Sequence, residues 1–176
     1  MYLPCLSVQT VVSISLLRTY LLTHRLLALA ELDVVTPPLD GTILPGVTRA
    51  SVLSLLSHRP PAAALPRLPA NVRIRTAERE LTMSELFAAS AAGTLREFFC
   101  VGTAAVVIPA ARIGWQRLRP GASAGTEAEV VDIVLPPVGG PGSVAQAIRE
   151  RLVDIQEGSV EWEGWGVPCG ASDASR

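Results

Sequence analysis

Lysine is absent from this 176-residue chain; all 15 basic residues are arginine. That excludes any mechanism built on a side-chain amine, because a guanidinium stays protonated and does not condense with a carbonyl. Metal-ligating residues are nearly as scarce. His24 and His58 stand alone, and Cys5, Cys100 and Cys169 are far apart with no CxxC or Cys/His spacing, which argues against a zinc site. Three scattered cysteines fit reduced thiols better than a disulfide framework. A net charge of −1 and the lack of any basic run argue against nucleic acid as a partner. Acidic residues are missing from the first 30 positions; the first is Glu31.

What is present suits a globular domain. The length fits one domain, and 49% of residues are apolar, enough to fill a core. The Ala-, Pro- and Arg-rich composition fits a coding bias that replaces surface lysine with arginine. Residues 1–30 stand apart, rich in Leu, Val and Ser and interrupted by Arg18, His24 and Arg25. Those charges break the run of about 20 apolar residues that a membrane span needs, so no membrane association is expected. Three readings stay open for the segment: a transit peptide, an amphipathic helix or strand, or non-coding sequence translated ahead of a true exon. The last is favoured, because ordinary domain sequence begins abruptly after Ala30.

Downstream, strands and helices interleave with no run of βαβ units, so the expected class is α+β. Residues 32–36 form a β-branched strand, stopped by Pro37-Pro38. Asp40-Gly41 and Pro45-Gly46 mark a loop. Thr48 starts a helix with Val52, Leu55 and Leu56 on one face. Residues 58–69 contain Pro60, Pro61, Pro66 and Pro69 and read as an irregular loop. Val72 and Ile74 alternate with Arg73 and Arg75 in a strand over 71–77. Thr82-x-x-Glu85 is a capping box ahead of a helix reaching about Gly93. Residues 97–101 and 104–108 flank a tight Gly102-Thr103 turn. Residues 117–128 read as loop, 130–135 as strand and 136–142 as a Pro/Gly hinge. Ser143-x-x-Gln146 caps a last helix with Val144, Ile148, Leu152 and Ile155 on one face, stopped by Gly158.

Two short motifs suit an anion. In LPGVTR (44–49), Gly46 allows close backbone approach at a helix start, where N–H groups lack partners and the dipole is positive. The amides of Val47 and Thr48 and the Thr48 hydroxyl are the available donors. In GTAA (102–105), a small turn exposes the Thr103 hydroxyl and the amides of Ala104 and Ala105. Alone, the first reads better as a plain helix start and the second as a two-residue hairpin turn.

In order and at this spacing, TPPLDG, ILPGVTR, a capped helix, GTAA and then Pro109 and Arg112-Ile113 resemble the branched-chain amino acid aminotransferase family. The tail RERLVDIQEGSVEWEGWGVP (149–168) resembles that family's last helix and terminal tryptophan segment. D-amino acid aminotransferases and aminodeoxychorismate lyases share the fold, but the TPPLDG-to-LPGVTR run and the tail favour the branched-chain type. The resemblance implies part of the large C-terminal domain of the fold-type IV (D-amino acid aminotransferase-like) fold over 31–170, with 1–30 unassigned and 171–176 a tail. It further implies pyridoxal phosphate as cofactor, a homodimer, and amino transfer between Leu, Ile or Val and 2-oxoglutarate, in the cytoplasm or mitochondrion. Gly46, Val47, Thr48 and Thr103 would hold the cofactor phosphate, and Ala104 and Ala105 the substrate carboxylate. Arg49 fits a surface arginine at a helix start as well as any role at the site. A CxxC redox pair of some mammalian relatives would fall at Ala105 and Ile108, so no such switch is expected.

The departures weigh as much as the matches. The family's Schiff-base lysine, its TEVGTMN-like segment with the glutamate that pairs the pyridine nitrogen, and its small N-terminal domain have no counterpart in residues 1–30. The expectation is a truncated chain with no covalent attachment through lysine, no catalytic residue and poor solubility alone. An alternative is a non-catalytic dimerisation or regulatory partner of a full-length aminotransferase.

Overall fold

The computed structural model describes residues 9–14, 30–41, 43–58, 64–65, 67–69, 72–117, 129–135 and 143–167. A five-stranded sheet has the order β3-β2-β1-β4-β5, built from β1 (Gln9–Ile14), β2 (Ala30–Thr36), β3 (Val72–Glu78), β4 (Phe99–Gly102) and β5 (Val106–Pro109). A separate ribbon pairs β6 (Arg112–Arg117) with β7 (Glu129–Val134). The helices are α1 (Val47–Ser57), α2 (Met83–Ala91) and α3 (Val144–Gln156). The mixture is α+β, as the sequence indicates.

Strand β2, helix α1 and strand β3 form one βαβ unit, since β2 and β3 pair in parallel from Ala30↔Val72 to Thr36↔Glu78. All other pairings are antiparallel. The centre of the sheet is β1, where Val12 pairs with Val35 on one side and Gln9 with Val101 on the other. Part of the segment left unassigned by sequence thus lies between the two halves of the sheet. The hinge at 136–142, the loop residues 118–128 and the tail 171–176 lie outside the described residues.

Strand alternation sorts side chains onto two cores. Phe99 and Val101 of β4 face a core shared with Val34, Ile74, Val107 and the apolar faces of α1 and α3. Cys100, between them, packs with the second core, formed by α2 and Ile133 and Leu135 at β7. Phe99, Leu55, Leu56, Ile74 and Leu86 are fully buried, each contributing about 2–3 kcal/mol of transfer free energy.

Within the stretch read as an irregular loop at 58–69, Ala64, Leu65 and Leu68 are buried and belong to the first core. Strand β6 was not expected from the sequence. Gly114 and the polar Gln116 hide its alternation, and it forms because β7 pairs with it from Arg112↔Val134 to Arg117↔Glu129.

Two helix starts carry the caps the sequence announces. Thr82 Oγ1 accepts from the Glu85 N–H at 3.2 Å, and Ser143 Oγ accepts from the Gln146 N–H at 3.2 Å. Beside the first cap, Arg79 donates to Glu85 at 2.9 Å, and this bond raises the Arg79 guanidinium above its ordinary value, with partial burial opposing it. A cation raised in this way adds stability that is fully present below its unfolded-state value and is lost only in strong alkali.

Candidate active site

Three strands deliver their C-terminal ends to one rim of the sheet. Strands β2 and β3 are parallel, and β2 and β4 both run against β1, so Thr36, Glu78 and Gly102 end on the same side. Stepping along β1 from Val12 to Gln9 moves the level on β2 from Val35 to the start of the Pro37-Pro38 exit, and there meets Val101 on β4. The loop into α1 and the 103–105 turn therefore leave the sheet at the same rim, from strands on either side of β1. Ligand sites in open sheets with βαβ crossovers form at such a rim.

At this rim α1 begins with Gly46 as its N-cap, at φ −83 and ψ 144, with no side-chain cap and no acid in its first turn. The Gly46 N–H donates to Leu44 O at 2.8 Å, and Gly46 O accepts from Ala50 N at 3.1 Å. By helix geometry the remaining first-turn N–H groups point off the helix end, where the dipole is positive. Val47 is 83% exposed, an unusual setting for a large aliphatic side chain and one that leaves the helix start open. Thr48 is half-buried.

A cleft of about 390 Å³ runs along the outer stripe of α1 from this start. Val47, Ala50, Ser51 and Ser54 form its floor by helical spacing, and Leu39, Pro45 and Trp165 form its sides. Its volume lies in the usual range of small-molecule sites. The lining is mainly apolar, with backbone donors and one cation, Arg49, at the helix end.

Arg49 corrects the expectation of a surface arginine. It is 4% exposed. Its Nη2 donates to Glu78 Oε2 at 2.6 Å and to Pro37 O at 2.9 Å. Buried cations are tolerated only when paired in this way. The side chain ties the exit of β2 and the end of β3 to the first turn of α1. Its Nε is buried without a hydrogen-bond partner, although Arg49 also lines the cleft.

The turn that follows β4 is wider than the expected two-residue hairpin. The pair Gly102↔Val106 closes the β4–β5 hairpin around Thr103, Ala104 and Ala105. Val106 then sits at φ 55, a left-handed conformation that costs a β-branched residue about 1–2 kcal/mol. Thr103 and Ala104 are exposed and Ala105 is half-buried. The sequence-expected residues thus occupy two loops of one rim, leaving strands on either side of β1: Gly46, Val47 and Thr48 in the first, Thr103, Ala104 and Ala105 in the second. The cleft itself is lined by the first group only.

Sequence reasoning missed Trp165, Leu39 and Glu78 as parts of this region. Glu78 ends a strand whose other charged residues face solvent, and nothing local marks it as the partner of an arginine 29 positions away. Among the described residues no cluster of His, Cys, Asp or Glu could hold a metal ion, and no helix is long and apolar enough to cross a membrane.

No protein-family model matches the chain. Curated relatives do match. A mitochondrial branched-chain-amino-acid aminotransferase of Schizosaccharomyces pombe is 36% identical over 139 residues, covering 79% of this chain and 28% of the relative. The branched-chain-amino-acid aminotransferase of Mycobacterium tuberculosis is 35% identical over 137 residues, covering 77% of this chain and 30% of the relative. The cytosolic enzyme of Saccharomyces cerevisiae is 36% identical over 133 residues, covering 76% of this chain and 30% of the relative. The chain therefore spans about 30% of the length of these relatives, and it matches their C-terminal part. Among solved structures, a protein of Thermotoga maritima assigned as a candidate branched-chain amino acid aminotransferase aligns with 88% of this chain and 38% of its own, at 22% identity and a TM-score of 0.38.

Proposed function

We propose that this chain is the phosphate-holding part of a fold-type IV, pyridoxal phosphate-dependent branched-chain aminotransferase, and that alone it binds the cofactor reversibly without transferring amino groups. The observation that carries the reading is the start of α1: a glycine N-cap, no acid in the first turn, and a buried arginine Nε without a partner beside an apolar cleft. These features suit a flat, largely apolar ring that ends in a phosphate. The amides of Val47 and Thr48 would receive the phosphate oxygens, Gly46 would admit them without a Cβ in the way, and the Thr103 hydroxyl would donate from the adjoining turn. The amides of Ala104 and Ala105 would take the carboxylate of a branched-chain amino acid or of 2-oxoglutarate. Preorganised N–H groups of this kind bind an anion without having to reorient.

Pyridoxal phosphate, when bound, supplies the electron sink that amino transfer requires. The chain has no lysine to anchor it, so the hold is that of the phosphate cup and the cleft. At the rim the Glu78 carboxylate is held by Arg49, and Arg49 in turn is engaged with Glu78 and Pro37. In this reading the relatives' homodimeric assembly and their cytosolic or mitochondrial location carry over to the full-length enzyme.

The test is a titration of purified chain with pyridoxal phosphate, followed by absorbance and by competition with inorganic phosphate. Reversible binding, displaced by phosphate and lost in Gly46→Asp, is the expected result, with no transfer from leucine to 2-oxoglutarate. Binding that survives Gly46→Asp at full strength would put the cofactor elsewhere, and genuine turnover of leucine would overturn the claim of inactivity.

A further inference from the structure

The C-terminal tail reaches from the end of α3 back to the cleft. Its anchor is Trp162, half-buried against the first core. The Arg151 guanidinium lies over its ring at 4.8 Å from the centroid, and the His58 ring meets it edge-on at 4.9 Å. His58 is the C-cap of α1. The tail is therefore fastened at the C-terminal end of that helix, and the cleft runs along the helix between Ser54 and Gly46.

A tight turn then reverses the chain. The Trp165 N–H donates to Trp162 O at 2.8 Å, with Glu163 at φ 46 and Gly164 at φ 73. Positive φ at both central residues is the geometry of a tight reversing turn. This turn places the Trp165 indole on the cleft, opposite the floor formed by α1. Trp165 remains 36% exposed and belongs to neither core. The core therefore does not account for its position.

We propose that Trp165 is a ligand-positioning residue, its indole packing against the ring of an aromatic phosphate whose anionic end sits at the start of α1. The proposal rests on the reading of the cleft as a phosphate site and adds what selects the rest of the ligand. An indole face binds flat rings through dispersion and quadrupole terms that an inorganic anion cannot use. The helix start serves any phosphate; Trp165 discriminates in favour of those that carry a ring.

Calorimetric titration of the whole chain with two probes tests this. One is pyridoxine phosphate, which has the ring and the phosphate but no aldehyde to react with the N-terminal amine. The other is inorganic phosphate. Trp165→Ala is expected to weaken pyridoxine phosphate about tenfold and to leave inorganic phosphate within about twofold. Trp165→Leu, which keeps apolar bulk and guards against a folding defect in the alanine variant, should behave like alanine. Trp165→Phe should restore the affinity to within about threefold. Equal weakening of both probes, or no change in either, overturns the role of Trp165 while leaving the phosphate site in place. If the unaltered chain binds neither probe, the phosphate reading fails and this proposal fails with it.

Discussion

Arg49 shows how far a single side chain can escape sequence reading. As the last residue of LPGVTR it stands at a helix start, where an exposed arginine is the ordinary expectation. The fold buries it because β2 and β3 end on either side of α1 and bring Pro37 O and Glu78 to the guanidinium. The two partners are not equivalent. The Glu78 side chain is 51% exposed and the Arg49 side chain 5%. Removing Arg49 leaves a carboxylate that water can reach, whereas removing Glu78 leaves a buried cation with one neutral acceptor. Glu78→Ala is therefore expected to cost about 2–3 kcal/mol and Arg49→Met less, as read from urea denaturation midpoints. A larger loss in Arg49→Met would mean that the arginine serves mainly through its packing. The helix start at Gly46, Val47 and Thr48 was legible because turn chemistry and helix starts are local signals. Trp165 was not, because its place on the cleft depends on where a distant tail folds back.

Among the elements, helix starts were the most legible features and the ribbon the least. Thr82 and Ser143 cap α2 and α3 as their spacing indicates. The stronger support of α3 is invisible locally. Glu97, 9% exposed, accepts from the N–H groups of Val144 and Ala145 at 2.8 Å each and from Ser143 Oγ at 3.2 Å. A carboxylate so placed satisfies two first-turn donors and sits at the positive end of the helix dipole. It arrives from 46 residues upstream of Ser143, beyond the reach of any cap motif. Glu97→Ala is expected to destabilise the fold by about 2 kcal/mol, and Ser143→Ala by about 1 kcal/mol. Equilibrium unfolding followed by far-ultraviolet circular dichroism would measure both, and a Glu97→Ala loss no larger than that of Ser143→Ala would contradict this ranking. Strand β6 escaped notice because its partner β7, and not its own alternation, defines it.

At the scale of the whole molecule, the central position of β1 is the main departure from what the sequence conveyed. Composition set residues 1–30 apart, yet Gln9–Ile14 bridges β2 and β4 and so joins the two halves of the sheet. A proline there would remove a ladder hydrogen bond from an interior strand. Val12→Pro is expected to cost about 3 kcal/mol or more and to broaden or abolish the thermal transition. A variant that melts like the parent would show that the sheet does not depend on this strand. The outer surface also carries Leu44, Val47, Val134 and Val167 largely exposed, in keeping with a chain that spans about 30% of the length of its relatives. The sheet's polarity has one more consequence. The exits of β2, β3 and β4 share one rim, so Ile14, Ala30 and Val72, where β1 ends and β2 and β3 begin, lie toward the opposite one. A change in the length of the chain that enters β2 or β3 therefore meets the sheet a strand length away from the loops that leave Thr36 and Glu78.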